Sequence, residues 1–202
     1  MSRAKIAVLG GSFDPVHLGH LFLLHCAISM TDYERFLIIP AKVSNFKQNS
    51  RPQASDRDRL NMIGLALEDF RDLYPEDAHA RIEISTMELD RGGVSYTSDT
   101  VRELRAKDDT AVIGLVMGDD HIGGLSRWHD FAYLKDNVEF LICQRDSVQS
   151  SWELPEGIRC KALIPASVAP QSSSAIRTDL ESNLDYLSQR VREYVKAHDL
   201  YN

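Results

Sequence analysis

The chain has 202 residues and a formal charge of −7, with 43% hydrophobic and 26% charged residues, the size and balance of one globular domain that folds without staples. The negative balance excludes bulk nucleic-acid binding, which calls for a basic face or stripe, and no run approaches the roughly 20 apolar residues that span a bilayer, so neither nucleic acid nor membrane is an expected partner. Three widely spaced cysteines, Cys26, Cys143 and Cys160, form no CxxC pair, and Met1 to Leu9 lacks an export signal, so a reducing cytoplasm is the expected setting.

Ile6 to Leu9 is a continuous apolar run ending in Gly10-Gly11, the pattern of a buried parallel strand that stops at a tight turn. Leu21, Leu24, Ala27 and Ile28 recur at helical spacing, which predicts a helix over 18–30 and so a first βα unit. A second strand is expected at Phe36 to Ile39, ended by Pro40, and a second helix from Asp56 to Leu67. Ala80 to Ser85 alternates as a half-exposed strand, Arg91-Gly92-Gly93 marks a turn, and Ser98 to Arg105 reads as a helix. Ala111 to Met117 and Val138 to Cys143 are further buried strands, separated by a loop holding Gly118, Asp119, Asp120, Gly123 and Gly124. From Ser172 to Asn202 polar caps and apolar spacing predict two terminal helices.

Strands alternating with helices imply an α/β fold, a Rossmann-like doubly wound parallel sheet with helices on both faces and a small C-terminal helical segment, all in one domain over 1–202. In such a sheet ligands lie beyond the carboxyl ends of the strands, near the switch in strand order. Gly10-Gly11, the loop after Pro40, and Gly118 to Asp120 all follow expected strands and should converge on one cleft.

The segment Gly10-Gly11-Ser12-Phe13-Asp14-Pro15-Val16-His17-Leu18-Gly19-His20 puts glycines where backbone must approach a ligand. It also sets His17 and His20 three apart at a helix start, on one face. Helix N-terminal N–H groups favour anions, and imidazole N–H groups add directed bonds to phosphate oxygens. Two plainer readings compete: a turn with two surface histidines, or a zinc site, although no HExxH glutamate or cysteine pair accompanies them.

This segment resembles the HxGH signature of the nucleotidyltransferase superfamily, in the form typical of bacterial nicotinate-nucleotide adenylyltransferases. The resemblance implies that His17 and His20 hold ATP phosphates and stabilise charge as pyrophosphate leaves, while the backbone of Gly10, Gly11, Ser12 and Phe13 lines the nucleotide cleft. Gln171 to Arg177 is similar to the family's ISSTxIR motif, with Gln171 and Ser174 replacing the usual isoleucine and threonine. It implies that Ser173, Ser174 and Arg177 grip phosphate, and a serine-capped helix with a guanidinium fork suits that task. Val43 to Lys47 departs from the family's Pro-Pro-His-Lys sequence but keeps Lys47, which the resemblance assigns to phosphate and to the second substrate.

Ser95-Tyr96-Thr97 with Asp99-Thr100 resembles the family's SYTxDT segment, and Gly118, Asp120 and Trp128 resemble its GxD and downstream tryptophan. By that likeness Tyr96, Thr97 and Trp128 form the pyridine pocket, with Asp120 touching both substrates and Gly118 the ATP. The implied reaction moves the adenylyl group of ATP to nicotinate mononucleotide, with Mg2+ carried by the ATP phosphates and no metal held by the protein alone. Rivals are another HxGH adenylyltransferase, acting on nicotinamide mononucleotide or pantetheine phosphate, and a nucleotide-sensing module without turnover. Oligomeric state is open, a homo-oligomer included.

Overall fold

The computed structural model describes residues 3–45, 51–145, 152–166 and 173–201. In chain order the first half contains β1 (Lys5–Gly11), α1 (Leu18–Ser29), β2 (Arg35–Pro40), β3 (Val43–Ser44), α2 (Asp56–Leu73), β4 (Arg81–Ile84) and α3 (Met87–Arg91). It continues through β5 (Val94–Ser95), α4 (Thr97–Lys107), β6 (Val112–Gly118), α5 (Phe131–Asn137), β7 (Glu139–Cys143), β8 (Cys160–Leu163), α6 (Ser173–Thr178), α7 (Leu180–Asn183) and α8 (Gln189–Ala197). The expected 118–124 loop is wound into a 3-10 helix, Asp119–Arg127.

Six strands form one sheet in the order β4-β2-β1-β6-β7-β8, with every pairing parallel. Successive crossovers run outward from β1 in one direction and from β6 in the other, so the strand order switches between these two central strands. β3 and β5 form a separate two-stranded parallel pair.

Central strands read as continuous apolar runs because both faces are covered. Ala7 and Leu9 of β1, Phe36 and Ile38 of β2 and Leu141 of β7 enter the layer under α1, α2 and α8. Their neighbours Ile6 and Val8, Leu37 and Ile39, and Phe140 and Ile142 enter the opposite layer under α4 and α5. This period-two division is what fixes register. At Gly114 even a methyl group would lie 2.7 Å from the Tyr33 ring and 2.8 Å from Leu141, so the close passage of that ring across β6 requires glycine.

The expected helix 56–67 continues to Leu73, since Phe70 extends its buried face and Asp69 is neutralised by Arg190 of α8. Ser55 caps α2, accepting the Asp58 N–H at 3.1 Å. β8 was not legible: Cys160-Lys161-Ala162-Leu163 is a short edge strand with a single fully buried position. Among its described residues the terminal segment holds three short α-helices where two were expected. The Arg91-Gly92-Gly93 turn is present, and Gly92 and Gly93 both adopt positive φ, 72° and 68°, a conformation L side chains resist. No helix among the described residues is long and apolar enough to cross a membrane.

Candidate active site

Where the strand order switches, the β1–β6 ladder runs from Lys5↔Val112 to Val8↔Leu115 and goes no further. The last residues of both strands, Leu9 to Gly11 and Val116 to Gly118, line a cleft of about 330 Å3. At Gly10 a β-carbon would meet nothing within 4 Å, so any side chain there would project into space that a ligand's phosphates could otherwise approach.

His17 is the N-cap residue of α1, in extended conformation. Its carbonyl accepts the His20 N–H at 2.9 Å, and its own N–H donates to His20 Nδ1 at 3.2 Å. His20 thus fills the place that a glutamate or glutamine takes in a capping box. With Nδ1 used as an acceptor, the neutral ring carries its proton on Nε2 and remains a donor. The two rings lie 3.8 Å apart between centroids and both line the cleft.

They are not a surface pair. His17 is only 5% exposed, and its Nδ1 is buried without a partner among the described residues. Burial, then His20 and Arg145, hold the His17 pKa well below the usual imidazole value, and burial with Arg145 lowers that of His20 to about 3. The cleft therefore presents two imidazoles held toward their neutral form beside a guanidinium. Among the described residues no third His, Cys, Asp or Glu joins the two imidazoles in a group that could hold a metal ion.

Ser173 and Ser174 reach the same cleft from the far end of the chain. Ser173 Oγ donates to the Pro15 carbonyl at 3.0 Å, which docks α6 on the loop before His17. Arg177 follows it there, but its guanidinium faces the loop: Nη1 donates to the Asp14 carbonyl and lies 3.9 Å from the Asp14 carboxylate, and Nη2 donates to Ser174 Oγ at 3.3 Å. The two terminal motifs meet as expected, with Arg177 bracing the loop and absent from the cleft wall.

Phe13, whose backbone was expected at the cleft, is not among its lining residues. Its side chain is buried in the core, and the ring packs on His20 at 4.8 Å; Gly10, Gly11 and Ser12 line the cleft without it. Opposite them, Gly118, Asp120, Thr97 and Trp128 line the cleft as anticipated, whereas the Tyr96 ring lies against His129 at 4.1 Å and is not part of the wall. Lys47, Gln171 and Ser172 lie outside the described residues.

Three contributors escaped the sequence reading. Arg145, just past β7, lines the cleft, and its Nη1 donates to both carboxylate oxygens of Asp120 at 3.2 Å. The pair fills the space over Gly118, where a β-carbon would lie 2.3 Å from Asp120 Oδ1 and 2.4 Å from Arg145 Cδ. Glu88 is a buried carboxylate on the wall near Ser95 and Thr100; it accepts the Thr100 hydroxyl at 2.5 Å, and burial raises its pKa. Arg59, fully buried, donates from Nη1 to the carbonyls of Ser12 and Ala41, each at 2.7 Å, and from Nη2 to Asp56 at 2.7 Å. It staples together the segments that follow β1 and β2 at the cleft rim.

A larger groove of about 630 Å3 lies between β4 and α4. Its Arg35 and Arg81 are both paired with Glu83, at 2.7 and 2.6 Å, and Lys5 and Arg35 there belong to the amino ends of their strands. Position at the strand carboxyl ends and imidazole donors without acidic partners favour the smaller cleft as the phosphate site.

Fold and cleft together define a nucleotide-binding α/β protein built to handle phosphates. The cytidylyltransferase-like family model matches residues 8–179. A protein of Listeria innocua serovar 6a named "Probable nicotinate-nucleotide adenylyltransferase" is 35% identical over 199 residues, 98% of each chain. One of the same name from Treponema pallidum subsp. pallidum is 32% identical over 211 residues, again covering 98% of each. The solved structure of Plasmodium falciparum nicotinic acid mononucleotide adenylyltransferase complexed with NaAD superimposes with a TM-score of 0.81 over 98% of each chain, at 16% identity. The chain belongs to the cytidylyltransferase-like family and, within it, to the nicotinate-nucleotide adenylyltransferases.

Proposed function

We propose that the chain transfers the adenylyl group of ATP to the phosphate of nicotinate mononucleotide, forming nicotinate adenine dinucleotide and releasing pyrophosphate. The observation that carries this reading is the pair of imidazoles at the start of α1, His17 buried and His20 half-buried, facing the β1–β6 cleft beside Arg145. The names of the full-length bacterial relatives supply the substrates.

In this reading the mononucleotide phosphate attacks the α-phosphorus of ATP in line, its oxygen forming the new P–O bond as the bond to the β-phosphate oxygen breaks. A phosphate monoester has its second pKa near ~6, so the nucleophile is largely ionised at neutral pH and no protein base is needed. The protein's task is to position the phosphates and neutralise charge that develops on the departing pyrophosphate. His20 donates from Nε2, and His17 adds its own ring from the helix cap. An arriving triphosphate reverses the electrostatic balance that keeps both rings neutral, favouring their protonated forms as charge builds. Arg145 supplies a permanent positive charge from the β7 side, and Ser173 and Ser174 offer further donors. Lys47 joins this set as a cation for the phosphates.

Hydroxyl, imidazole and guanidinium groups suit phosphate oxygens, while the carboxylates Glu88 and Asp120 are engaged by Thr100 and Arg145. Mg2+ arriving with the ATP phosphates would neutralise part of their charge. Thr97 and Trp128 flank the pyridine ring, the indole face offering stacking. The test is pyrophosphate release with ATP and each pyridine mononucleotide in parallel. Release with nicotinate mononucleotide supports the reading; ATP binding with no release for any mononucleotide overturns it and restores the sensing module.

A further inference from the structure

Asp14 is a buried carboxylate inside the first phosphate motif to which the sequence reading gave no role, and three other segments converge on it. Its Oδ1 accepts the Ala54 N–H at 3.0 Å and the Tyr201 hydroxyl at 2.8 Å. Its Oδ2 accepts the Gln53 N–H at 2.9 Å, and Arg177 approaches both this oxygen and the Asp14 carbonyl. One side chain therefore ties the loop before His17 to the segment leading into α2, to α6, and to Tyr201 beyond α8. The only hydroxyl donor among these partners is Tyr201. Burial, the Asp14 charge and this hydrogen bond raise the Tyr201 pKa far above the ordinary phenol value, so the group stays a donor at any working pH.

Loss of a hydrogen bond to a charged, buried acceptor leaves that acceptor under-satisfied, and the acceptor relaxes toward its remaining donors. Here those donors are Arg177 and the Gln53 and Ala54 N–H groups, so relaxation pulls on the loop three residues before His17 and on the arginine that braces Ser174. Displacements of this kind, small in distance, matter where catalysis rests on positioning.

We propose that Tyr201 is a positioning residue for adenylyl transfer: through Asp14 its hydroxyl fixes the relation between the His17–His20 helix start and the Ser173–Ser174 wall. This rests on the function proposed above. It gives a residue remote in sequence from both motifs a role at the phosphate end of the cleft.

The experiment uses the full chain and its Tyr201→Phe variant, which keeps the ring and removes the hydroxyl alone. Steady-state kinetics are measured for each substrate, with thermal unfolding alongside. The expected result is a loss of about tenfold in kcat/KM for ATP, with KM for the mononucleotide within about twofold of the parent. A variant that melts earlier but keeps parental kinetics well below its melting temperature overturns the proposal, because Tyr201 then serves stability only. In an Asp14→Ala background, which removes both acceptor oxygens, Tyr201→Phe should add no further loss; a full additional tenfold loss would show that Tyr201 acts by another route. Turnover by the parent in the same assay decides the function separately, so the two readings fail independently.

Discussion

The two walls of the cleft are built on different terms. On the β1 side the polar groups are mostly committed to one another: His20 Nδ1 to the His17 N–H, Ser173 to Pro15, Arg177 and Tyr201 to Asp14, Arg59 to Ser12. On the β6 side Asp120 is half exposed and Arg145 meets it directly over Gly118. One wall is preorganised by a hydrogen-bond network, and the other presents charge. The division shows why motif membership does not say where a side chain points. Arg177 lies in the recognised motif and faces inward to the loop, while Arg145 lies in no quoted motif and faces the cleft.

That comparison can be broken most sharply at His20. His20→Ala removes a donor from the preorganised wall and should lower turnover by at least ~100-fold with the fold intact, checked by pyrophosphate release and circular dichroism. Near-parental turnover would mean that the committed wall is structural only. Arg145→Ala should cost about 30-fold in kcat/KM for ATP, read in the same assay; an equal loss appearing only in KM for the mononucleotide would reassign Arg145 to the other substrate. Gly118→Ala should fold, since the atoms its β-carbon would strike belong to side chains that can rotate. It should displace the Asp120–Arg145 pair and lose about tenfold in the same parameter, and parental kinetics would show the pair to be dispensable.

The smallest effect is on stability against pH. His17 and His20 are held neutral in the folded chain, whereas unfolded imidazole titrates near ~6.5, so below that value protons bind preferentially to the unfolded state. Their contribution is complete above ~6.5 and is lost as pH falls toward the lowered folded values, which for His20 is about 3. A His17→Gln/His20→Gln double variant should therefore lose less stability than the parent between pH 6.5 and 4.5, by about 5 °C in melting temperature. Parallel melting curves for the two proteins would contradict neutral imidazoles.

The sheet's central strands were readable because a strand buried on both faces must be apolar at every position, as Ile6 to Leu9 and Val138 to Cys143 are. β8 was hidden because an edge strand alternates and here is only four residues long. The cleft's location followed from the same logic, since Gly10-Gly11 and Gly118 end strands on either side of the switch. Arg145 could have been found by that rule too: it follows an apolar strand at its carboxyl end, where ligand contacts gather. Tyr96 was misplaced because a motif names residues without saying which way a side chain points. Glu88 and Arg59 gave no signal, since a charge buried by long-range partners such as Thr100 or Ser12 looks in sequence like any solvated charge.

The most direct trial of the central claim is a crystal structure of the chain with a non-hydrolysable ATP analogue. The account places triphosphate oxygens within about 3 Å of the His17 and His20 rings and of the Arg145 guanidinium. A triphosphate bound in the groove between β4 and α4, with both imidazoles untouched, would contradict it.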